Sequence, residues 1–377
     1  MNGGVGIMRV FAFTGGGTGG HIYPGLAVAA ALTDICGCRI IWLGSKNNSD
    51  RFIVESAGIE FKEISSGKLR RYFSLKNFTD IFLIIAGFFS SLFFLKKNKP
   101  LLLFSKGGFV SVPPAAAAFT LGIPVFTHES DFSPGLATRI NAVFAKKIFV
   151  AYEQTGSFFA KKYLHKIMLS GNPVRAEFYS ANPENGRSFF NIPAGERILL
   201  VLGGSQGAKE INDLIEACID GLTKYFFVVH QTGIKQEGKA PCDSAEKYTR
   251  RYIRIPYIMN EMPDILAAAE LVAGRAGAGT VWECAAAGRP MVLVPLSGNA
   301  TRGDQIENAK FFEERGAACV LIRPSAKEFA ALLDDLAKDS GRLTAMASAS
   351  EHIGTLRGAP VIARQILEEA AEEKLYP

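Results

Sequence analysis

Short runs of Val, Ile, Leu and Phe alternate along this chain with longer segments in which apolar residues recur at helical spacing. This alternation is typical of β–α–β units built around a buried parallel sheet. It predicts strands at 9–14, 39–44, 60–64, 101–105, 124–127 and 147–150, and then at 197–203, 225–230, 252–255, 271–274, 291–295 and 319–322. The predicted fold class is therefore α/β, with doubly wound, Rossmann-like parallel sheets.

The alternation stops in the middle of the chain, where Gly171-Asn172-Pro173 and Asn182-Pro183 supply breakers of regular structure. We therefore expect two domains, at 1–173 and 174–356, with a ligand cleft between them at the carboxyl ends of the strands. The segment 357–377 has helical spacing, and we expect it to pack back on the first domain.

Composition excludes several classes of protein. The chain has 377 residues, of which 48% are hydrophobic and 21% charged, as expected for two globular domains rather than collagen, a coiled coil or a disordered chain. Its six cysteines lack the paired spacing of a zinc site, which predicts free thiols in a reducing compartment. The N-terminus has no signal-peptide pattern, so we expect the protein to stay in the cytoplasm.

The formal net charge of +6 is unevenly distributed along the chain. Residues 1–173 carry 19 Lys and Arg against 9 Asp and Glu, whereas the remainder carries 23 against 27. A basic first half indicates an anionic partner, either a membrane surface or a nucleic acid.

A basic and strongly apolar segment, 68–99, favours the membrane. Its low-charge core, 81–95, has 15 residues, fewer than the roughly 20 that span a bilayer, so we expect a helix partly inserted in an anionic leaflet. The residues expected at the membrane are Lys76, Phe78, Ile81, Phe82, Ile85, Phe89, Lys96 and Lys97. A core helix with cationic ends is the alternative. Nucleic acid fits less well, because the basic residues are not interleaved with the exposed aromatics of a stacking surface.

Four glycine clusters follow predicted strands, at 15–20, 106–108, 203–208 and 274–280. Glycine lets a ligand approach backbone N–H groups at a helix N-terminus, a suitable place for a phosphate or a polar acceptor. The first cluster matches the G-x-G-x-x-G pattern, but the second strand does not end in the acid that a dinucleotide site needs. None matches the phosphate-binding loop of P-loop nucleotidases.

Six ordered motifs resemble those of the MurG family of N-acetylglucosaminyltransferases. They are GGGTGGHIYPGLA at 15–27, KGGFVS at 106–111, HESD at 128–131, GNPVR at 171–175, GGSQGA at 203–208 and DQIENA at 304–309. The resemblance implies a GT-B fold and transfer of GlcNAc from UDP-GlcNAc, with inversion, to the C4 hydroxyl of undecaprenyl-pyrophosphoryl-MurNAc-pentapeptide (lipid I), which gives lipid II for peptidoglycan. It also implies a peripheral protein on the cytoplasmic face of the inner membrane, with no cofactor.

The resemblance also implies roles for individual residues. The first domain would receive the lipid-linked acceptor at the glycine loops Gly15, Gly16, Gly17, Lys106, Gly107 and Gly108. The donor would sit mainly on the second domain, with Ser205 and Arg175 at the diphosphate, Met259 beside the uracil and Glu283 on the ribose. The remaining donor-binding residues implied are Thr18, Gly19, Gly20, Asp131, Gln206, Gly207, Ala278, Gly279, Thr280, Asp304 and Gln305.

The attacking hydroxyl must lose a proton, and a histidine on a loop at a strand end suits that step. His21 is the favoured base or acceptor-positioning group, with His128, Glu129 and Asp131 as rivals. No Asp-x-Asp pair is present to hold Mg²⁺ or Mn²⁺. We therefore expect a metal-independent enzyme in which backbone dipoles and Arg175 stabilise the leaving diphosphate.

Two residues depart from the family pattern. Many members carry Asn at the position of Asp131 and Gln or His at that of Asp304, so the recognition of GlcNAc hydroxyls stays open. The alternatives are a diacylglycerol glycosyltransferase of the same fold, a UDP-GlcNAc epimerase, and a catalytically silent membrane-bound sensor of sugar nucleotides. The sequence predicts no particular protein partner.

Overall fold

The computed structural model describes residues 8–67, 76–204, 207–234, 251–297 and 303–372, with only the backbone for residues 48 and 76–79. The chain forms two compact units. Unit 1 contains Met1–Arg175 together with Leu356–Pro377, and unit 2 contains Ala176–Thr355.

Within these described ranges, strands and helices alternate along most of the chain. The strands are β1 Val10–Thr14, β2 Arg39–Gly44, β3 Glu60–Glu63, β4 Leu103–Ser105, β5 Val125–Glu129, β6 Lys147–Val150, β7 Ile167–Leu169, β8 Ile198–Leu202, β9 Phe227–Gln231, β10 Tyr252–Ile255, β11 Leu271–Gly274, β12 Met291–Leu293 and β13 Ala318–Val320. The helices are α1 Tyr23–Cys36, α2 Asn48–Ser56, α3 Lys76–Asn98, α4 Val112–Thr120, α5 Leu136–Phe144, α6 Pro183–Phe189, α7 Lys209–Leu222, α8 Met262–Ala268, α9 Ala278–Ala286, α10 Asp304–Glu314, α11 Ala326–Lys338, α12 Ser340–Gly354 and α13 Gly358–Glu372.

Each unit has one parallel sheet. The strand order is β3-β2-β1-β4-β5-β6-β7 in unit 1 and β10-β9-β8-β11-β12-β13 in unit 2. In both sheets the strand order reverses beside the first strand of the unit, as expected for a doubly wound fold. This arrangement confirms the predicted fold class and places the loops after β1 and β4, and after β8 and β11, at the carboxyl ends of neighbouring strands.

All twelve predicted strands are present, and β7 was missed. β7 lies at the edge of its sheet, directly before the breakers at 171–173, and its apolar run is limited to 167–169. The other three-residue strands, β4, β12 and β13, lie within apolar runs of four or more residues and were recognised. The described cysteines Cys36, Cys38, Cys218, Cys284 and Cys319 are free thiols.

The C-terminal helix α13 belongs to unit 1. Its Ile362 and Ile366 are fully buried in one apolar cluster with Leu32 of α1 and with the sheet. A buried carboxylate, Glu369, pairs with Lys146 just before β6. Burial of large aliphatic side chains gains roughly 1.5–3 kcal/mol each, so this helix forms part of the core of unit 1.

Candidate active site

The first glycine loop, which follows β1, is held by side chains from the next strand and helix. Trp42 Nε1 on β2 donates to the carbonyl oxygen of Gly15 over 3.0 Å, and the Gly17 N–H donates to Asp50 Oδ2 over 2.7 Å. The N–H of Lys106, after β4, donates to the Thr14 carbonyl over 2.8 Å. The loop is therefore fixed before any ligand arrives.

Glycine is required in this loop because protein atoms occupy the space of a side chain. A Cβ on Gly15 would lie 2.5 Å from the His21 carbonyl oxygen, and one on Gly16 would lie 2.5 Å from Asp50 Oδ2. Real Cβ atoms are not found at such distances, so glycine is needed at both positions. The loop ends in a tight turn, Gly19–His21, in which the His21 N–H donates to the Thr18 carbonyl over 3.0 Å.

His21 brings the first two glycine loops together. A Cβ on Gly108 would lie 3.1 Å from His21 Cδ2, and one on Gly107 would lie 3.9 Å from His21 Nδ1. The imidazole thus packs on bare glycine backbone. A cavity of about 270 Å³ adjoins the same residues; its lining is Gly16, Gly17, Thr18, His21, Gly67, Ile84, Gly108, Phe109, Val112, Leu136, Ala137 and Ile140.

The carboxylate of Glu129, a rival candidate base, is hydrogen-bonded within the β5–α5 loop. Its Oε1 accepts the N–H groups of Ser130 and Asp131 over 3.0 and 3.1 Å, and its Oε2 accepts the N–H of Gly135 over 2.9 Å. A carboxylate that accepts three backbone N–H groups fixes the conformation of the loop that supplies them. The geometry favours a structural role for Glu129 in the β5–α5 loop.

His128 is completely buried at the end of β5. Its Nε2 lies 3.1 Å from the Gly171 carbonyl oxygen, which can only accept, so Nε2 carries the proton. Burial, and then the charge of Lys106, lower the pKa of His128 well below its usual value. His128 is therefore a neutral imidazole that ties β5 to the segment at 171.

Lys106, at the second glycine loop, is almost completely buried. Burial lowers the pKa of its ammonium group, and the negative charges of Glu129 and Asp131 oppose that shift. The buried amino group of Lys106 therefore lies within the electrostatic influence of the two acids of the β5–α5 loop. Arg175, the predicted diphosphate contact, also belongs to unit 1. Its guanidinium carbon lies 5.3 Å from the ring centre of Tyr23.

In unit 2 the predicted donor-binding residues lie after β8, after β10 and at the starts of α9 and α10. Ser205 and Gln206 lie outside the described residues. Ala278, Gly279 and Thr280 form the first turn of α9, and Glu283 lies on the next turn, half-buried. Met259 follows β10 and is 62% exposed.

Polar side chains join the loops at this edge of the second sheet. Arg275 Nη1 lies 2.8 Å from Glu210 Oε2 on α7 and donates to the Val294 carbonyl over 2.9 Å. Gln305 Oε1 accepts the N–H of Leu296 over 2.9 Å. The predicted donor residue Gln305 therefore also holds the loop before α10, while Asp304 begins that helix and Gly207 precedes α7.

Comparison with known proteins gives the family. The family model for the glycosyltransferase family 28 N-terminal domain matches residues 11–150, and that for the family's C-terminal domain matches residues 198–366. The chain belongs to glycosyltransferase family 28.

Individual relatives carry the activity name of the family that the motifs resemble. A protein of Treponema denticola named UDP-N-acetylglucosamine--N-acetylmuramyl-(pentapeptide) pyrophosphoryl-undecaprenol N-acetylglucosamine transferase is 50% identical over 94% of this chain and 96% of its own length. A Treponema pallidum protein of the same name is 47% identical over 95% of each chain. The crystal structure of Acinetobacter baumannii MurG superposes with a TM-score of 0.71 at 25% identity, covering 96% of this chain and 100% of that one. The MurG resemblance is confirmed.

The expected membrane helix of this family 28 protein is α3, and it has two different faces. On one face, Gly87, Ser91 and Leu95 are buried against the rest of unit 1. The other face is an exposed apolar stripe consisting of Ile81, Phe82, Ile85, Phe89 and Phe93, which are 48–69% exposed and are followed by the exposed Lys96 and Lys97. Lys76 and Phe78 lie on α3, but their side chains are outside the described set.

Two observations concern ions and membranes. In the ranges that the structure describes, no helix is both long enough and apolar enough to cross a bilayer. In those same ranges, no three His, Cys, Asp or Glu side chains form a group that could hold a metal ion.

Sequence reasoning missed the two residues that anchor the first glycine loop. Asp50 lies 33 positions beyond Gly17, and Trp42 lies 27 beyond Gly15, so no local spacing connects them. The one available signal was an acid in the first turn after β2, where Asn47 caps α2. That acid was not expected to point back at the loop.

Proposed function

We propose that this protein is an inverting N-acetylglucosaminyltransferase that moves GlcNAc from UDP-GlcNAc to the C4 hydroxyl of undecaprenyl-pyrophosphoryl-MurNAc-pentapeptide. The observation that carries the proposal is 47–50% identity, over about 95% of the chain, to transferases named for this donor and acceptor. The two family 28 domains and the paired glycine loops around His21 support it.

The transfer itself is the first test. Purified protein is incubated with radiolabelled UDP-GlcNAc and either a lipid I analogue or diacylglycerol. We expect label in the lipid I product only. Label entering only diacylglycerol would identify the other class of lipid acceptor, and release of free sugar or of an epimer without transfer would contradict both.

For the proton transfer we propose His21. Its neighbours His128 and Glu129 are held by the Gly171 carbonyl and by three backbone N–H groups, which leaves His21 as the histidine at the cavity. A positioned general base contributes typically 10²–10⁴-fold. We therefore expect His21→Ala to lower kcat at least 100-fold and to change the Kd for UDP less than twofold.

The control for that variant is His165→Ala, in a short helical turn remote from β1 along the chain, which should leave kcat unchanged. Wild-type turnover by His21→Ala would remove His21 from the mechanism.

For the leaving group we propose that unit 2 supplies fixed dipoles. The N-termini of α7 and α9 follow adjacent parallel strands, and helix N-termini stabilise developing negative charge. Glu283 is proposed to hold the ribose hydroxyls, and Arg175 stays a predicted diphosphate contact.

A chelator tests this electrostatic account. Turnover should persist in its presence; loss of turnover on chelation and its recovery with Mg²⁺ would contradict the account.

We propose that the apolar stripe on α3 and its flanking lysines hold the protein on an anionic membrane surface, on the cytoplasmic face. Apolar side chains enter the interface while each nearby cation contributes about 1 kcal/mol. Phe82→Asp combined with Phe89→Asp should weaken binding to anionic vesicles at least tenfold. Phe52→Asp, at a residue 67% exposed on α2, is the control; equal loss in both, or salt-insensitive binding to neutral vesicles, would contradict the proposal.

A further inference from the structure

Asp50 is a buried acid in unit 1 to which the sequence motifs assign no role. It lies in the first turn of α2, and its side chain is 2% exposed. Its Oδ2 accepts the Gly17 N–H over 2.7 Å and the Ser45 hydroxyl over 2.6 Å, and its Oδ1 accepts from Asn47 Nδ2 over 3.2 Å. Three donors from two loops therefore converge on one carboxylate.

The first glycine loop rests directly on this carboxylate. A Cβ on Gly16 would be 2.5 Å from Asp50 Oδ2, so only glycine allows the loop to come so close. Gly17 has a φ of +88°, which side-chain-bearing residues rarely adopt. The Gly17 N–H is bound to the acid in this conformation, so Asp50 fixes a residue that has little conformational restriction of its own.

The fixed residue is close to the proposed base. Gly17 precedes Thr18, whose carbonyl accepts the His21 N–H over 3.0 Å. The turn formed by Gly19–His21 then sets the direction from which the imidazole packs on the second glycine loop. Movement of Gly17 would thus be passed to His21 through a single hydrogen-bonded turn.

We infer that Asp50 is a positioning residue for glycosyl transfer: its carboxylate holds the first glycine loop, and through it His21, in the arrangement that receives the acceptor hydroxyl. The inference rests on the proposed function. Misplacement of a reacting group by about 1 Å can lower a rate by about 100-fold, so loss of this anchor should appear in turnover rather than in donor binding.

Three variants separate positioning from general stability. Asp50→Ala removes the acceptor for Gly17, and we expect kcat to fall at least 30-fold while the Kd for UDP changes less than twofold. Asp50→Asn keeps one oxygen for the Gly17 N–H and should stay within fivefold of wild type. Asn47→Ala removes the cap of α2, which Asn47 Oδ1 provides to the Ser49 N–H over 3.2 Å, and the donor to Asp50 Oδ1. It keeps the bond from the Gly17 N–H to Asp50 Oδ2 and should leave kcat within twofold.

Amide hydrogen exchange gives a readout that does not depend on activity. The Gly17 amide should exchange at least tenfold faster in Asp50→Ala, and at the wild-type rate in Asn47→Ala. If Asp50→Ala does not fold, Asp50→Glu replaces it, because the longer side chain keeps the charge but cannot fit beneath Gly16. Its kcat should then fall at least tenfold.

Each outcome bears on one proposal. Turnover within threefold of wild type in Asp50→Ala or Asp50→Glu, an equal loss in Asn47→Ala, or loss of UDP binding with turnover would overturn the role of Asp50. If the wild-type protein transfers no GlcNAc, the proposed function fails instead, and the exchange rate of Gly17 still tests whether Asp50 holds the loop.

Discussion

The glycine loops of the two units look alike in sequence but differ in what surrounds them. In unit 1, Cβ atoms on Gly15, Gly16 and Gly108 would lie 2.5–2.7 Å from protein atoms. In unit 2, Cβ atoms on Gly277 and Gly279 would have no described atom within 4 Å. Both sets follow parallel strands at the carboxyl edge of a sheet.

The difference shows two reasons for glycine at the same kind of position. In unit 1 the protein itself fills the space, so glycine allows two loops, Asp50 and His21 to pack together. At Gly277 and Gly279 of unit 2 the described residues leave the space beside the backbone open, so glycine leaves room there that a ligand can occupy, whereas a Cβ on Gly274 of the same cluster would lie 2.8 Å from the Leu202 carbonyl oxygen. This second arrangement supports the proposed placement of the nucleotide in unit 2.

The largest effect is expected at Gly108. Its φ of 78° and ψ of 155° lie in a region essentially restricted to glycine, and an added Cβ would be 2.7 Å from the Gly16 carbonyl oxygen. We expect Gly108→Ala to lower the free energy of unfolding of unit 1 by about 3 kcal/mol, from strain plus the clash. The 19F signal of 5-fluorotryptophan at Trp42 reports unit 1 in urea, and that at Trp282 reports unit 2.

Gly122→Ala is the matched control for this variant. Gly122 has a φ of +72° but no atom within 4 Å of an added Cβ among the described residues, so it tests backbone strain without the clash. We expect a loss of about 1–2 kcal/mol there. Equal losses at the two positions would mean that close packing does not explain the glycines of unit 1.

Buried histidines give a second comparison, in which the stability of both units should change with pH in the same direction. In unit 2, His230 Nδ1 bonds Tyr252 Oη over 2.9 Å and Nε2 bonds Asn212 Oδ1 over 3.1 Å. Burial, then the charge of Arg254, lower the pKa of His230 to about 3. Because the unfolded chain titrates near 6.5, it binds more protons than the folded state between these values. Stability contributed by the neutral ring is therefore complete above pH 6.5 and is lost as the pH falls towards 3.

The lowered pKa of His230 therefore predicts that the stability of unit 2 falls in acid. The free energy of unfolding of unit 2 should fall by about 2 kcal/mol between pH 7 and pH 5, as followed by the Trp282 signal, and His230→Gln should flatten that fall. Unit 1 should weaken in the same direction, because the pKa of His128 is also lowered. A pH-independent unit 2 would contradict the neutral, buried state of His230.

Much of the fold could be predicted because it depends on local patterns. Twelve strands were predicted from short apolar or alternating segments of four to seven residues, and the loops after β1, β4, β8 and β11 were located from glycine clusters. The edge strand Ile167–Leu169 was missed, because its apolar run ends with those three residues, between Lys166 and Ser170. The family followed from the order of six motifs along the whole chain.

The geometry of the candidate site was less predictable, because it depends on contacts between distant residues. Glu129 was a candidate base from its motif, yet its carboxylate is held by backbone N–H groups of the following loop. Asp50 had no motif at all, yet it lies under the first glycine loop. Sequence therefore identified which loops form the site, whereas the tasks of individual side chains required the structure.

The smallest effect, and the one that most directly tests the open glycines, is expected for Gly279→Ala in the first turn of α9. An added Cβ meets no described atom there, and alanine favours a helix over glycine by about 0.8–1 kcal/mol. Unit 2 should therefore unfold at the same or slightly higher urea concentration.

If the nucleotide approaches this backbone, the same methyl group should raise the KM for UDP-GlcNAc roughly tenfold, which corresponds to about 1.4 kcal/mol. Gly221→Ala on α7, where an added Cβ is equally unobstructed, should raise stability without changing the KM. A Gly279→Ala enzyme with an unchanged KM would show that the open space beside α9 is not where the donor binds, and the contrast between the two sets of glycines would then concern packing alone.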